Sequence, residues 1–141
     1  MMPAKQETEL AADPTIGNST PPRDARWRRA QRLTSSAAFA EIYEQGRSWR
    51  GRTMVLWLRA GTGTSLKVGV VASRASIGNA VQRNRARRRM REAFRLNQHR
   101  VQGTGEAVLM ARHTINRARW PEIVEDLLAL ARKAGILREQ P

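Results

Sequence analysis

Apolar positions along the chain recur in two rhythms. Between residues 34 and 46, Ala38, Phe39, Ile42 and Tyr43 fall at the spacing of one helix face, with Thr34 or Ser35 placed to cap the helix and Gly46 to end it. Two compact apolar runs follow, residues 53–58 with valine and tryptophan and residues 66–72 rich in valine. Gly61-Thr62-Gly63-Thr64 lies between them, so the pattern predicts two strands joined by a flexible loop. From Gly78 to about His99 the rhythm is helical again, with Asn79 as N-cap. Gly103 and Gly105 mark a break, and residues 106–112 predict a third strand around Ala107-Val108-Leu109-Met110. Pro121 suits a first helical turn, and Ile123, Val124, Leu127, Leu128, Leu130 and Ala131 form an apolar stripe that runs up to Gly135. The predicted order is α-β-β-α-β-α without internal repeats.

Residues 1–25 lie outside this pattern. They contain Asp13-Pro14, Gly17-Asn18-Ser19 and Pro21-Pro22, which favour turns and extended backbone. The reading divides the chain into a disordered acidic and polar tail over 1–25 and one folded domain over 26–141.

Charge sharpens this division. The 141 residues carry 26 basic and 12 acidic side chains, a formal +14, yet residues 1–20 sum to −2, so the remainder carries +16. Arginine outnumbers lysine 23 to 3, and its planar fork matches phosphate oxygens bidentately and stacks on bases. A nucleic acid is the first partner this implies. The absence of cysteine excludes disulfides, iron–sulfur clusters and thiolate zinc sites. The longest apolar runs, 54–58, 107–111 and 127–131, are five residues each, too short for a signal sequence or a membrane span, which makes the cytoplasm the expected compartment and a membrane an unexpected partner.

The densest charge lies in residues 79–95, with seven arginines and one glutamate. At about 100° per residue, Ala86, Met90, Ala93 and Phe94 share one sector about 100° wide. Arg85, Arg87, Arg88, Arg89, Arg91 and Arg95 spread over the remaining arc, so one side packs and the rest offers guanidinium groups. On charge alone a solvated helix face or a localisation signal also accounts for such a run. Against the first stands self-repulsion, since Arg83/Arg87, Arg87/Arg91 and Arg91/Arg95 are like-charge pairs four apart with only Glu92 nearby.

These residues also carry a family resemblance. Gly78-Asn79-Ala80-Val81-Gln82-Arg83-Asn84-Arg85, with Arg87-Arg88 and Arg91-Glu92-Ala93-Phe94-Arg95 behind it, resembles the signature helix of the bacterial ribonuclease P protein component. Arg32-Leu33, Phe39-x-x-Ile42-Tyr43, Gly46-Arg47-Ser48, Arg52, Val55-Leu56-x-Leu58, Val68-Gly69 and Ala111-Arg112 extend the similarity over about residues 30–137. The resemblance implies an α/β (α+β) two-layer sandwich with a central sheet and a left-handed β-α-β crossover, where the general rule is right-handed. It implies a protein subunit that helps a catalytic RNA remove the 5′ leader of precursor tRNA, with Mg2+ bound mainly through the RNA, no organic cofactor, no obligate protein partner and no catalytic residue in the protein. By position, Asn79, Arg83, Asn84, Arg85, Arg87, Arg88, Arg91 and Arg95 are the expected contacts to the catalytic RNA. Phe39, Tyr43 and Trp57 are the expected contacts to the leader, in a cleft between first helix and sheet. Single strands are held by such combinations of basic grooves and aromatic faces. On residue chemistry alone, Phe39, four before Tyr43 on an apolar face, suits a plain core better than a cleft, and Tyr43 suits either.

Two departures stand out. The family's Ser-Lys-Lys-Val-Gly is here Ser73-Arg74-Ala75-Ser76-Ile77-Gly78, one residue longer and one basic residue poorer, and Ala-Arg-Pro is Ala111-Arg112-His113. An independent nuclease site has little to draw on. His99 and His113 are the only imidazoles and are expected to face solvent at element ends, while Glu122, Glu125 and Asp126 suit the dipole of the last helix rather than a metal. From residue chemistry, a structural or chaperone-like RNA binder using the same basic helix is the rival reading.

Overall fold

The computed structural model describes residues 36–61 and 65–138. The expected tail over 1–25, the cap at Thr34 or Ser35, the Arg32-Leu33 pair and Thr62-Gly63-Thr64 lie outside the described residues. In chain order the elements are α1 (Ser36–Gln45), β1 (Arg47–Arg50), β2 (Met54–Arg59), β3 (Leu66–Val71), α2 (Arg74–Ile77), α3 (Ala80–Asn97), β4 (Gly105–Ala111) and α4 (Trp120–Ala134). A 3-10 turn, Gln98–Arg100, follows α3.

The four strands form one sheet in the order β1-β2-β4-β3, antiparallel except for the parallel pair β3 and β4. That parallel pair makes α3 the crossover helix. Side chains alternate between the faces, as strand geometry requires. Met54 and Leu56 of β2, Val68 of β3, and Ala107, Leu109 and Ala111 of β4 enter the main core with α3 and α4. Val108, on the other face, joins Ile42 of α1 in a smaller cluster. The α+β sandwich is thus the sheet with its α3–α4 layer, and α1 lies on the opposite face.

Two elements go beyond the expected order. Strand β1 has the sequence Arg-Ser-Trp-Arg, with only Trp49 partly buried, and is held as an edge by antiparallel pairing with β2. Helix α2 occupies the long Ser73-to-Gly78 segment, where the Ser73 side chain accepts from the Ser76 N–H and one helical turn takes up the chain. Gly78 then redirects the backbone at φ 120°, where a Cβ would stand 2.2 Å from Gln82 Oε1. The final helix matches its expected stripe: Ile123, Val124, Leu127, Leu130 and Ala131 are buried, Leu128 packs at the margin, and Gly135 provides a left-handed C-cap.

Candidate RNA interface

Helix α3 is built from its cap inward. Asn79 Oδ1 accepts from the Gln82 N–H at 2.9 Å, and Gln82 Oε1 accepts from the Asn79 N–H at 3.0 Å, a reciprocal capping box. This fixes the helix start. Packing fixes its rotation: Ala86, Met90 and Ala93 are fully buried and Phe94 nearly so, the stripe the periodicity predicts. Asn97 extends that stripe and is also buried, donating from Nδ2 to the Ala93 carbonyl at 2.9 Å.

With that side anchored, the arginines of the other arc have little choice of direction. Arg85, Arg88 and Arg91 are exposed, and Arg83, Arg87 and Arg95 are half-buried. The guanidinium groups of Arg83 and Arg88 have no hydrogen-bond or ion-pair partner among the described residues. Arg87 donates to Asn84 Oδ1, aligning these two candidate residues along one edge. Arg95 forks onto Glu92 with two 2.9 Å bonds, which holds the Glu92 carboxyl below its ordinary range and raises the arginine. Glu92 is the only acidic side chain of the helix, so most of the guanidinium surface is left uncompensated.

Arg89 departs from the expected solvent-facing set. Its guanidinium turns toward the loop between β4 and α4, donating from Nη1 to the Ile115 carbonyl at 2.6 Å and from Nη2 to the Ala118 carbonyl at 2.7 Å. Burial and the nearby Arg85 charge both lower its pKa. The physical reason is position on the helix: Arg89 lies about 40° from Ala93, at the margin of the apolar stripe, where a long side chain reaches a neighbouring loop. Its neighbour in the sequence, Arg88, points away.

The structure brings Phe39, Tyr43 and Trp57 into one cluster between α1 and the sheet, around Ile42 and Val108. Tyr43 and Trp57 meet edge to face, with ring centroids 5.1 Å apart and planes at 74°. All three remain partly exposed, unlike Ile42, which is fully buried. Burial raises the Tyr43 pKa, so the phenol stays protonated at neutral pH. Trp57 Nε1 is buried without a hydrogen-bond partner among the described residues. The cluster therefore has an inner packed part and an outer aromatic rim.

The other titratable candidates are occupied or dispersed. His113 is exposed in the turn after β4, whereas His99 is half-buried in the 3-10 turn rather than facing solvent. Glu122 Oε1 accepts from the Arg119 N–H at 2.8 Å at the start of α4, and Asp126 accepts from the backbone of Arg52 and Thr53. Among the described residues no three His, Asp or Glu side chains group as a metal site would need, and none of the described helices is long and apolar enough to cross a membrane.

Known proteins resemble this chain in sequence and in fold. Residues 27–135 match the family described as Ribonuclease P. The chain is 40% identical over 114 residues to the ribonuclease P protein component of Symbiobacterium thermophilum, covering 80% of this chain and 98% of that protein. It is 36% identical over 111 residues to the protein of the same name from Chloroflexus aurantiacus, covering 78% and 82%. Among solved structures, the RNase P protein from Thermotoga maritima superposes with a TM-score of 0.64 at 27% identity, over 72% of this chain and 96% of that one. The Staphylococcus aureus RNase P protein superposes with a TM-score of 0.68 at 24% identity, over 78% of this chain and all of that one, and shows the shared fold. With a family match over residues 27–135 and a relative 40% identical across nearly all of its own length, the chain belongs to the ribonuclease P protein family.

Proposed function

We propose that the chain acts within ribonuclease P as the protein subunit that binds the catalytic RNA through α3 and the 5′ leader of precursor tRNA through the aromatic rim of α1 and β2. The observation that carries this reading is the rotation of α3: burial of Ala86, Met90 and Ala93 presents Arg85, Arg88 and Arg91 outward. Family membership supports the choice of RNA. In this reading Arg83, Asn84, Arg85, Arg87, Arg88, Arg91 and Arg95 contact the catalytic RNA, and Asn79 holds the helix start in register. Phe39, Tyr43 and Trp57 meet the single-stranded leader.

The protein's part is electrostatic. Its guanidinium groups reduce repulsion between two RNAs and position phosphates, and the rim adds stacking of about 1–3 kcal/mol per base. The described carboxylates are dispersed or engaged in caps and loop contacts, so the residues present do not suit a protein-held metal, and Mg2+ is assigned to the RNA. Residues 26–141 form the binding domain in this reading, the tail over 1–25 stands outside it, and the compartment is the cytoplasm.

Reconstitution tests the proposal. At low magnesium, adding the full chain to catalytic RNA and precursor tRNA should raise the rate of leader removal, and the chain alone should cleave nothing. No stimulation, or cleavage without the RNA, overturns it. Co-purification with ribosomal RNA instead of one structured RNA favours the rival reading as a chaperone-like binder.

A further inference from the structure

Beside α3 lies a second basic feature outside the signature helix. The turn between β1 and β2 and the loop between β4 and α4 face each other across an open cleft of about 220 Å³, lined by Arg52, Thr53, Thr114, Arg117, Ala118 and Glu122. Both walls are fixed by hydrogen bonds. Arg112 Nη1 donates to the Gly51 carbonyl at 2.7 Å, and Thr114 Oγ1 donates to the Arg52 carbonyl, so the two segments are tied directly. Below them, Asp126 accepts from the Arg52 N–H at 3.1 Å, the Thr53 N–H at 2.8 Å and Thr53 Oγ1 at 2.7 Å. The turn backbone lies so close to this carboxylate that a Cβ on Gly51 would stand 2.3 Å from Asp126 Oδ1.

The acids at the cleft thus have assigned work: Asp126 holds the turn and Glu122 caps α4. The guanidinium groups of Arg52 and Arg117 do not. Both residues are exposed, and neither guanidinium has a partner among the described residues. The same loop is fastened to the arginine helix at three points, by Arg89 to the carbonyls of Ile115 and Ala118 and by Asn116 Nδ2 to the Gln82 carbonyl at 2.9 Å. The loop that forms one wall of the cleft is therefore held against α3.

We infer that this cleft is a second phosphate-binding element for the same RNA that α3 engages, with Arg52 and Arg117 as its grips and Arg89 as the residue that positions the loop. Charge complementarity and the bonds that tie the loop to α3 identify the occupant as an RNA backbone phosphate. A guanidinium pair across a pre-tied cleft can hold phosphate oxygens with little further ordering. The inference rests on the assignment of α3 to the catalytic RNA.

The test compares the parent chain, the double variant Arg52→Ala/Arg117→Ala and the α3 variant Arg88→Ala for binding to the catalytic RNA and to precursor tRNA over a salt series. The double variant should bind about tenfold more weakly at low salt, and its slope of log affinity against log salt should be shallower by about 1.5, the loss of two phosphate contacts. Its unfolding temperature should match the parent's, since neither guanidinium is used in folding. The variant Arg52→Lys/Arg117→Lys should recover the slope but only part of the affinity, because charge returns without the fork. If Arg88→Ala weakens binding while the double variant keeps the parent's affinity and slope, the cleft is not a phosphate site although α3 is. If the double variant loses affinity only for precursor tRNA, the assignment to the catalytic RNA is wrong. If none of the substitutions changes binding, the assignment of α3 falls as well.

Discussion

Arg88 is exposed on α3, whereas Arg89 turns inward and donates to two backbone carbonyls. Substituting them should separate binding from stability. Arg88→Ala is expected to leave unfolding free energy within about 0.5 kcal/mol of the parent and to weaken RNA binding. Arg89→Ala leaves the carbonyls of buried Ile115 and half-buried Ala118 short of a donor and should cost about 1–3 kcal/mol in urea denaturation. Arg89→Lys should recover little of this, since one ammonium does not reproduce a fork spanning Ile115 and Ala118. On the other face, Phe39 is partly exposed beside Tyr43 and Trp57. Phe39→Ala should reduce the affinity advantage of long-leader over short-leader precursor tRNA by about 1–3 kcal/mol, measured by competition binding. Equal loss for both substrates together with a lowered unfolding temperature would instead assign the ring to packing.

At the scale of elements, α3 depends on its first turn. Removing the side-chain acceptor with Asn79→Ala should cost about 1 kcal/mol by denaturation and loosen the register of the arginines that follow. Legibility in the sequence followed periodicity. Helices α3 and α4 have long apolar stripes at helical spacing, and their burial matches those stripes closely. Strand β1 has no such signal, because an edge strand reading Arg-Ser-Trp-Arg is held by ladder hydrogen bonds to β2 rather than by a buried face of its own. Helix α2 is a single turn, too short for periodicity to register. Periodicity says nothing of sheet order, since the parallel pairing of β3 with β4 joins segments far apart in the chain; the family resemblance alone, through its β-α-β crossover, implies it. The outward arginines of α3 could be read from the wheel, but Arg89 could not. Its bonds go to backbone carbonyls in a loop whose position depends on tertiary structure. The cleft of Arg52 and Arg117 escaped for the same reason, as its walls come from segments on either side of α3 in the sequence.

For the whole molecule, one field governs folding and binding with opposite sign. The chain after residue 20 carries +16, and repeated arginine pairs on α3 repel along the helix. Added monovalent salt screens that repulsion in the free protein and also weakens attraction to RNA. From about 50 to 200 mM salt the unfolding temperature of the free chain should therefore rise while RNA affinity falls by orders of magnitude. A free protein destabilised by salt would show that local repulsion within α3 is already compensated. The placement of α3 as crossover between two neighbouring strands has a further consequence for how such a chain can vary. Its start is closed by the capping box, its length is bounded by β3 and β4, and its rotation is set by Met90 and its neighbours. One inserted residue between Arg85 and Met90 would turn everything beyond it by about 100°, carrying Arg89 and Glu92 to core positions and Met90 and Phe94 out of them. Substitutions can retune this helix one contact at a time, but a change in its length would have to rebuild the core and the binding face together.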